Sequence, residues 1–278
     1  MPEPLPVPVV DNHCHLDVVR DGEPVVPVAQ ALAEAAAVGV TRIVQIGCDL
    51  PGARWAVETA AAHPSVVAGV ALHPTDAARL GTAGRLDEAF AEIEALAAHP
   101  RVRAVGETGL DHHWVPPEDA VGRAAQVESF RRHIDLAKRL DRTLVIHDRD
   151  AHDAILEVLD SEGAPARWVM HCFSGDADFA RRCLDRGAHL SFAGTVTFKN
   201  AAPLREALRI TPRDRVLVET DAPYLTPTPY RGRRNASYLV PLTMRVMAQE
   251  RGEDLAELCA AVDANTEVAF GGAWASFR

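Results

Sequence analysis

Two histidines one residue apart, His13 and His15, lie inside Asp11-Asn12-His13-Cys14-His15-Leu16-Asp17. Val7, Val9 and Val10 ahead of them read as a short strand, so both imidazoles fall at its C-terminal end. Residues two apart on a strand point to one face. Two neutral nitrogen donors side by side suit a divalent metal ion. Taken alone, a His-x-His pair describes ordinary strand histidines equally well. The balance shifts because later apolar runs end in the other groups such an ion takes: His73, Glu107, His147, His171 and Asp221.

Those groups must be carried by elements that bring them together. Apolar runs predict strands at Val7–His15, Arg42–Cys48, Val66–His73, Arg103–Leu110, Thr143–His147, Trp168–Phe173, His189–Gly194 and Val216–Asp221. Between them the pattern predicts helices at Val28–Val38, Ala53–Ala62, Leu86–Ala98, Pro117–Leu140, Ala151–Ser161, Ala177–Arg186 and Pro203–Ile210. Two more, Ser237–Glu250 and Glu253–Val268, follow the last strand. Near-continuous apolar strands alternating with helices indicate a parallel sheet covered by helices. In an open sheet the first and eighth strands would stand roughly 34 Å apart, at about 4.8 Å per neighbour. No ion joins groups that distant. Closing the sheet into an eight-stranded barrel makes those strands neighbours and gathers all C-terminal ends around one mouth. The fold class expected is therefore α/β, a single (β/α)8 barrel over residues 1–278, and the absence of a Gly-x-Gly-x-x-Gly turn agrees.

Composition sets the outer bounds. With 278 residues, 47% hydrophobic and 24% charged, the chain has the make-up of a globular protein with a large core. No apolar run reaches transmembrane length, so no membrane partner is expected. Prolines at positions 2, 4, 6 and 8 replace the charged and apolar regions of a signal peptide. Five scattered cysteines without a Cys-x-x-Cys fit reduced thiols and a cytoplasmic location. Only two lysines, Lys138 and Lys199, stand among 29 basic residues, and the net charge is −10. That charge excludes a DNA-coating binder, which runs on phosphate neutralisation. It leaves open a nuclease whose metals and local arginines handle the phosphate. No obligate protein partner is readable.

Five segments carry a family resemblance. Residues 11–17, Gly-Glu-Thr-Gly-Leu-Asp at 106–111, Val-Ile-His-Asp-Arg at 145–149, His-Cys-Phe-Ser-Gly at 171–175 and Glu-Thr-Asp-Ala-Pro-Tyr-Leu-Thr-Pro at 219–227 together resemble the signatures of the TatD family of metal-dependent deoxyribonucleases. The resemblance implies a TIM-type barrel, a divalent and usually binuclear metal site, and 3′–5′ exonuclease action on single-stranded DNA. It also implies that His13, His15, Glu107, His147, His171 and Asp221 hold the metals. The chain departs from the family at Thr108, where Ile is usual, and at Asn235-Ala236-Ser237, where Asn-Glu-Pro is usual. The second departure borders the substrate site.

The residue chemistry fits those roles. Glu107 can bridge two ions through its two oxygens, and Asp221 can bind metal while taking a proton from bound water, which makes both catalytic candidates. A mixed nitrogen and carboxylate set suits Zn, Mn, Fe, Co or Ni, with Mg where water completes the shell. Asp17 and Asp111 are placed to orient ligand histidines. His73, followed by Pro74, fits either a substrate-facing role or a plain turn. Arg149, two residues past His147 on the same face, and Arg231, Arg233 and Arg234 in the loop after the last strand are substrate-binding candidates, since guanidinium suits phosphate. A solvated charge run is the other reading of that loop. Two alternative activities remain: an amidohydrolase or lactonase, whose usual bridging lysine is replaced by Glu107, and ester hydrolysis on D-aminoacyl-tRNA. A non-catalytic scaffold would show a missing ligand, and none is missing.

Overall fold

The computed structural model describes residues 1–20 and 22–275. Strands run over Val9–Cys14 (β1), Val40–Gly47 (β2), Val66–Val70 (β3), Val102–Asp111 (β4), Thr143–Arg149 (β5), Trp168–Met170 (β6), His189–Phe192 (β7) and Val216–Val218 (β8). Helices run over Val28–Ala36 (α1), Leu50–Ala62 (α2), Pro74–Thr82 (α3), Leu86–Ala97 (α4), Ala120–Arg139 (α5), His152–Glu162 (α6), Ala177–Leu184 (α7), Ala202–Ile210 (α8), Val240–Arg251 (α9) and Leu255–Ala269 (α10). The strands pair in parallel in sequence order, β1 through β8. The ring closes where Cys14 bridges Ala222, with Asp221 N–H donating to the His13 carbonyl at 2.9 Å and His15 N–H to the Ala222 carbonyl at 2.8 Å. The result is the expected (β/α)8 barrel, nearly closed.

Three elements depart most from the sequence expectation. Helix α3 was hidden because Pro74 reads as a stop. Proline at the first helical position costs nothing, since that N–H has no intrahelical partner, and His73 Nδ1 caps the helix by accepting from Thr75 N at 3.2 Å. Strands β6 and β8 are only three residues long. The chain leaves the ladder early, into left-handed residues at Cys172 (φ 44°) and Asp221 (φ 55°).

Two apolar layers hold the barrel. Inside it pack Val10, Val44, Ile46, Val67, Ala104, Val145, Val169 and Leu217, together with Ala269, Phe270 and Trp274 from the end of α10 and beyond. The last group plugs the N-terminal end: the Trp274 indole donates to the Ser65 carbonyl at 3.0 Å, just before β3, and Thr143 at the start of β5 donates to the Ala269 carbonyl. Arg42 binds the same region through Asp263 at 2.5 Å and Glu267 at 2.6 Å, with its guanidinium over the Trp274 ring. Outside the strands, residues of opposite parity pack under the helices.

Of the register shifts along the sheet, two lie next to the mouth residues. On β1, Asp11 pairs with Ile43 but Cys14 pairs with Gln45, so three steps oppose two. On β4, Val105 pairs with Leu144 but Thr108 with Ile146. Each is a bulge, and a single extra residue moves every later side chain to the other face. Ala104 faces inward and Val105 outward, so strict alternation would have turned Glu107 out. The bulge turns it in. Two glycines allow β4 to lie this close to β5. A Cβ on Gly106 would fall 2.5 Å from the Val145 Cβ, and one on Gly109 (φ 140°) would fall 2.1 Å from the His147 carbonyl oxygen.

Candidate metal centre

Glu107 stands at the middle of the mouth, 3% exposed. Its Oε2 lies 3.3 Å from His13 Nε2 and 3.9 Å from His15 Nε2. Its Oε1 lies 2.7 Å from His147 Nδ1, 3.2 Å from His171 Nε2 and 3.7 Å from His73 Nε2. Asp221 joins from the β8 end, with Oδ1 3.2 Å from His15 Nε2 and 3.9 Å from His13 Nε2. The His13 and His171 rings stack with centroids 3.6 Å apart. Donor atoms fall into overlapping sets within 4.8 Å of one another: His13, His15 and Glu107; His13, His171 and Asp221; Glu107, His147 and His171; and His73, Asp111 and His147.

A cation fits this donor set. His13 is fully buried and neither of its ring nitrogens has a hydrogen-bond partner, an arrangement that costs free energy unless something binds there. Burial, reinforced by His171, lowers the His13 pKa to about 3, so the imidazole is neutral and keeps a lone pair. His15 Nδ1 faces the Ile46 carbonyl at 3.0 Å. With Nδ1 donating there, the Nε2 lone pair is turned to the carboxylates. Burial opposes the charge on Glu107, yet His171, His13 and His147 around it hold its carboxyl well below the usual range. Partial burial works against a charge on His147, but Asp111 and Glu107 raise its pKa to about 9.

An outer set of residues fixes these donors. Asp111 Oδ2 lies 3.1 Å from His147 Nε2, while its Oδ1 accepts from His113 N and Trp114 N. Glu219 Oε1 lies 2.9 Å from His171 Nδ1, close enough for an ion pair though off the line a hydrogen bond needs, and accepts from Cys172 N at 3.0 Å. Asp11 locks β1 to the β8 loop by accepting from Thr220 N, Thr220 Oγ1 and Ser237 Oγ. The Ser237 hydroxyl at 2.7 Å is a donor that the family's usual proline lacks. Thr108, the other departure, turns outward and sets its hydroxyl 3.2 Å from His133 Nδ1 on α5. Asp17 does not touch a histidine. It accepts from Gln45 Nε2 at 2.7 Å instead. Sequence reading also passed over Cys48, whose sulfur lies 3.5 Å from Glu107 Oε2. Burial pushes its thiol up to about 12, so it faces the cluster uncharged.

The arginines stand apart from the cluster. Arg149 is exposed, with its guanidinium 5.7 Å over the Trp114 ring. Arg231 lies 4.1 Å over Phe198 and Arg233 lies 5.8 Å over Tyr230, both exposed. Arg234 is half-buried and occupied: it donates to the Pro24 carbonyl at 3.0 Å and the Val18 carbonyl at 3.3 Å. A cavity of about 160 Å³ opens beside His15, between Leu16, Val26, Pro223, Asn235 and Tyr238. Lys138 donates to the Glu162 carbonyl and takes no part in the cluster. Among the described residues, no helix is long and apolar enough to cross a membrane.

Comparison with known proteins points the same way. The profile of the family described as "TatD related DNase" matches residues 10–271. The "Uncharacterized metal-dependent hydrolase TatD" of Mycobacterium tuberculosis is 45% identical over 269 residues, covering 96% of this chain and 99% of that one. The "3'-5' ssDNA/RNA exonuclease TatD" of Citrobacter rodentium is 35% identical over 251 residues, covering 87% of this chain and 91% of that one. Among solved structures, the TatD homolog YJJV of Escherichia coli K12 superposes with a TM-score of 0.83 at 26% identity, over 95% of this chain and 98% of that one.

Proposed function

Because the chain belongs to the TatD-related DNases and is a metal-dependent hydrolase, we propose that it hydrolyses phosphodiester bonds of single-stranded DNA from the 3′ end. In this reading two divalent ions, drawn from Mg, Mn, Zn, Fe, Co and Ni, are held by His13, His15, Glu107, His147, His171 and Asp221. The observation that carries it is Glu107, whose two oxygens face two different sets of imidazole nitrogens. When bound, such a pair of ions lowers the pKa of a water and stabilises the attacking and leaving oxygens at phosphorus.

The chain's own residues do the rest. His13 and His15 serve the Oε2 side of Glu107, and His147 and His171 the Oε1 side. Asp221 is the most open of the carboxylates, its side chain 14% exposed against 4% for Glu107. It takes the proton of the attacking water at its carboxylate. Its left-handed backbone is held in place by the His13 carbonyl, a strained setting of the kind that pre-organises sites. His73, 3.7 Å from Glu107, faces the substrate phosphate. Arg149, Arg231 and Arg233 rim the mouth as further phosphate contacts. Arg234 braces Val18 and Pro24 instead, since its donors are already engaged by their carbonyls.

The test is direct. Purified protein is incubated with 3′- and 5′-labelled single-stranded DNA, with tRNA charged with a D-amino acid, and with a lactone panel, each with and without Mg²⁺ or Mn²⁺. Stepwise loss of nucleotides from the 3′ end, abolished by chelator, is expected. Turnover of the aminoacyl ester or a lactone with DNA left intact overturns the reading.

A further inference from the structure

Among the described residues, the exposed aromatic side chains are Trp114, Tyr224 and Tyr230, at 66%, 47% and 37% exposure. All three sit in loops leaving the C-terminal ends of strands, Trp114 after β4 and the tyrosines after β8. In a closed eight-stranded barrel the β4/β5 and β8/β1 seams lie across from one another. Trp114 hangs on the first seam: its N–H donates to Asp111 Oδ1 at 2.7 Å, and Asp111 Oδ2 meets His147 at 3.1 Å. Tyr224 hangs on the second: its N–H donates to the Asp221 carbonyl at 2.9 Å, and its ring centroid lies 6.4 Å from that of His15. Each ring is thus one aspartate removed from the cluster, on opposite flanks. Trp and Tyr rings carry a large stacking face, and here they flank a cluster of candidate metal ligands on both sides.

We infer that Trp114, backed by Arg149, and Tyr224 are base-stacking platforms on either side of the scissile phosphate. A single strand crosses the mouth with the nucleotides flanking the cleaved bond laid against the two rings. The inference rests on the nuclease reading above and names how that site selects its substrate. Aromatic faces stack any base and are sequence-tolerant, whereas the bases of a duplex are already paired and stacked. Stacking also suits a chain of net charge −10, because it draws little on the phosphate attraction that salt screens. Arg149 contributes a guanidinium over the Trp114 ring at 5.7 Å, and the ring's exposure leaves surface for a base.

The test compares an oligothymidylate with the same oligomer carrying abasic residues on both sides of its 3′-terminal phosphodiester. Trp114→Ala is expected to raise KM for the normal strand about 5- to 150-fold, the equivalent of 1–3 kcal/mol per stacked base. Its kcat should stay within a few fold and its KM for the abasic strand should not move. Trp114→Phe should recover most of the loss, and Tyr224→Ala should act in the same direction. Anisotropy of labelled oligomer in chelator should show the same ratio without turnover. Unchanged KM in both alanine variants, or equal losses on normal and abasic strands, overturns the platforms while wild-type cleavage keeps the nuclease reading standing. If the wild type cleaves neither strand, with or without metal, the nuclease reading fails and takes the platforms with it.

Discussion

At its N-terminal end the barrel is filled by Val10, Val44, Val67, Ala104, Val145, Val169 and Leu217 above Phe270 and Trp274, with every strand but β7 contributing. At the C-terminal end strands of the same barrel, or the turns just beyond them, carry His13, Glu107, His147, His171 and Glu219. There the alternation is broken by bulges on β1 and β4, the backbone is left-handed at Cys172 and Asp221, and His13 keeps two buried nitrogens without partners. The difference shows where each cost falls. The lower layer supplies burial, and its polar contacts serve only to seat the plug. The upper layer holds several unfavourable features within reach of one another, and it holds them because the ring beneath is rigid. Stability and chemistry should therefore separate by mutation.

The largest effect belongs to the mouth. Glu107→Ala removes the group that both nitrogen sets face, and turnover should fall by about 10³-fold or more while denaturant unfolding shifts little. Comparable losses in both measurements would erase the division between the two ends. Phe270→Ala should do the reverse. A large cavity at the base costs about 3–5 kcal/mol of stability, with activity per folded molecule retained below the transition. A catalytic loss in the folded variant would mean that the plug sets the mouth's geometry.

Acid should act on supporting residues outside the cluster. Burial lowers the pKa of His133 to about 4, with its Nδ1 against the Ser129 carbonyl at 2.7 Å and its Nε2 accepting from Leu72 N at 3.3 Å. His189 is likewise lowered to about 4 by burial and Arg215. A folded-state pKa below the unfolded 6.5 means that the unfolded chain takes up the proton first. This contribution is thus complete above about pH 6.5 and is lost as pH falls toward 4, on the order of 3 kcal/mol for His133. Unfolding curves at pH 7 and 4.5 should show it, and His133→Gln should remove that share of the slope. An unaltered slope in that variant assigns the acid sensitivity elsewhere. The smallest effect is at the rim. If Arg231 and Arg233 each neutralise one phosphate, the double alanine variant should flatten the log affinity against log salt slope by roughly 1.4, at about 0.7 per phosphate on single strands. An unchanged slope makes that loop a solvated charge run.

Much of the fold was legible because strand-end histidines and carboxylates stand out against apolar runs, and only a closed barrel gathers them. The parity of Glu107 was not. Val105-Gly106-Glu107-Thr108 read with period two puts the carboxylate on the outer face, and nothing local marks the extra residue. Asp11 was visible as part of a motif but not as the lock between β1 and the β8 loop, since Thr220 lies 209 residues away and Ser237 lies 226. Arg234 looked equivalent to Arg231 and Arg233, because burial against Val18 and Pro24 is a tertiary fact. Helix α3 hid behind a proline whose place at the first turn depends on where the strand before it stops.

The seam between β8 and β1 joins an early-made strand to one made late. Asp221 leaves the ribosome about 200 residues after His13, a delay of roughly 10–40 s at common rates of synthesis. Phe270 and Trp274, which fill the base, come later still. A growing chain therefore carries its histidine pair without the carboxylate that completes the cluster. The candidate ligands from β1 to β6 are made well before the last of the set. Assembly of the cluster is thus timed by the order of translation.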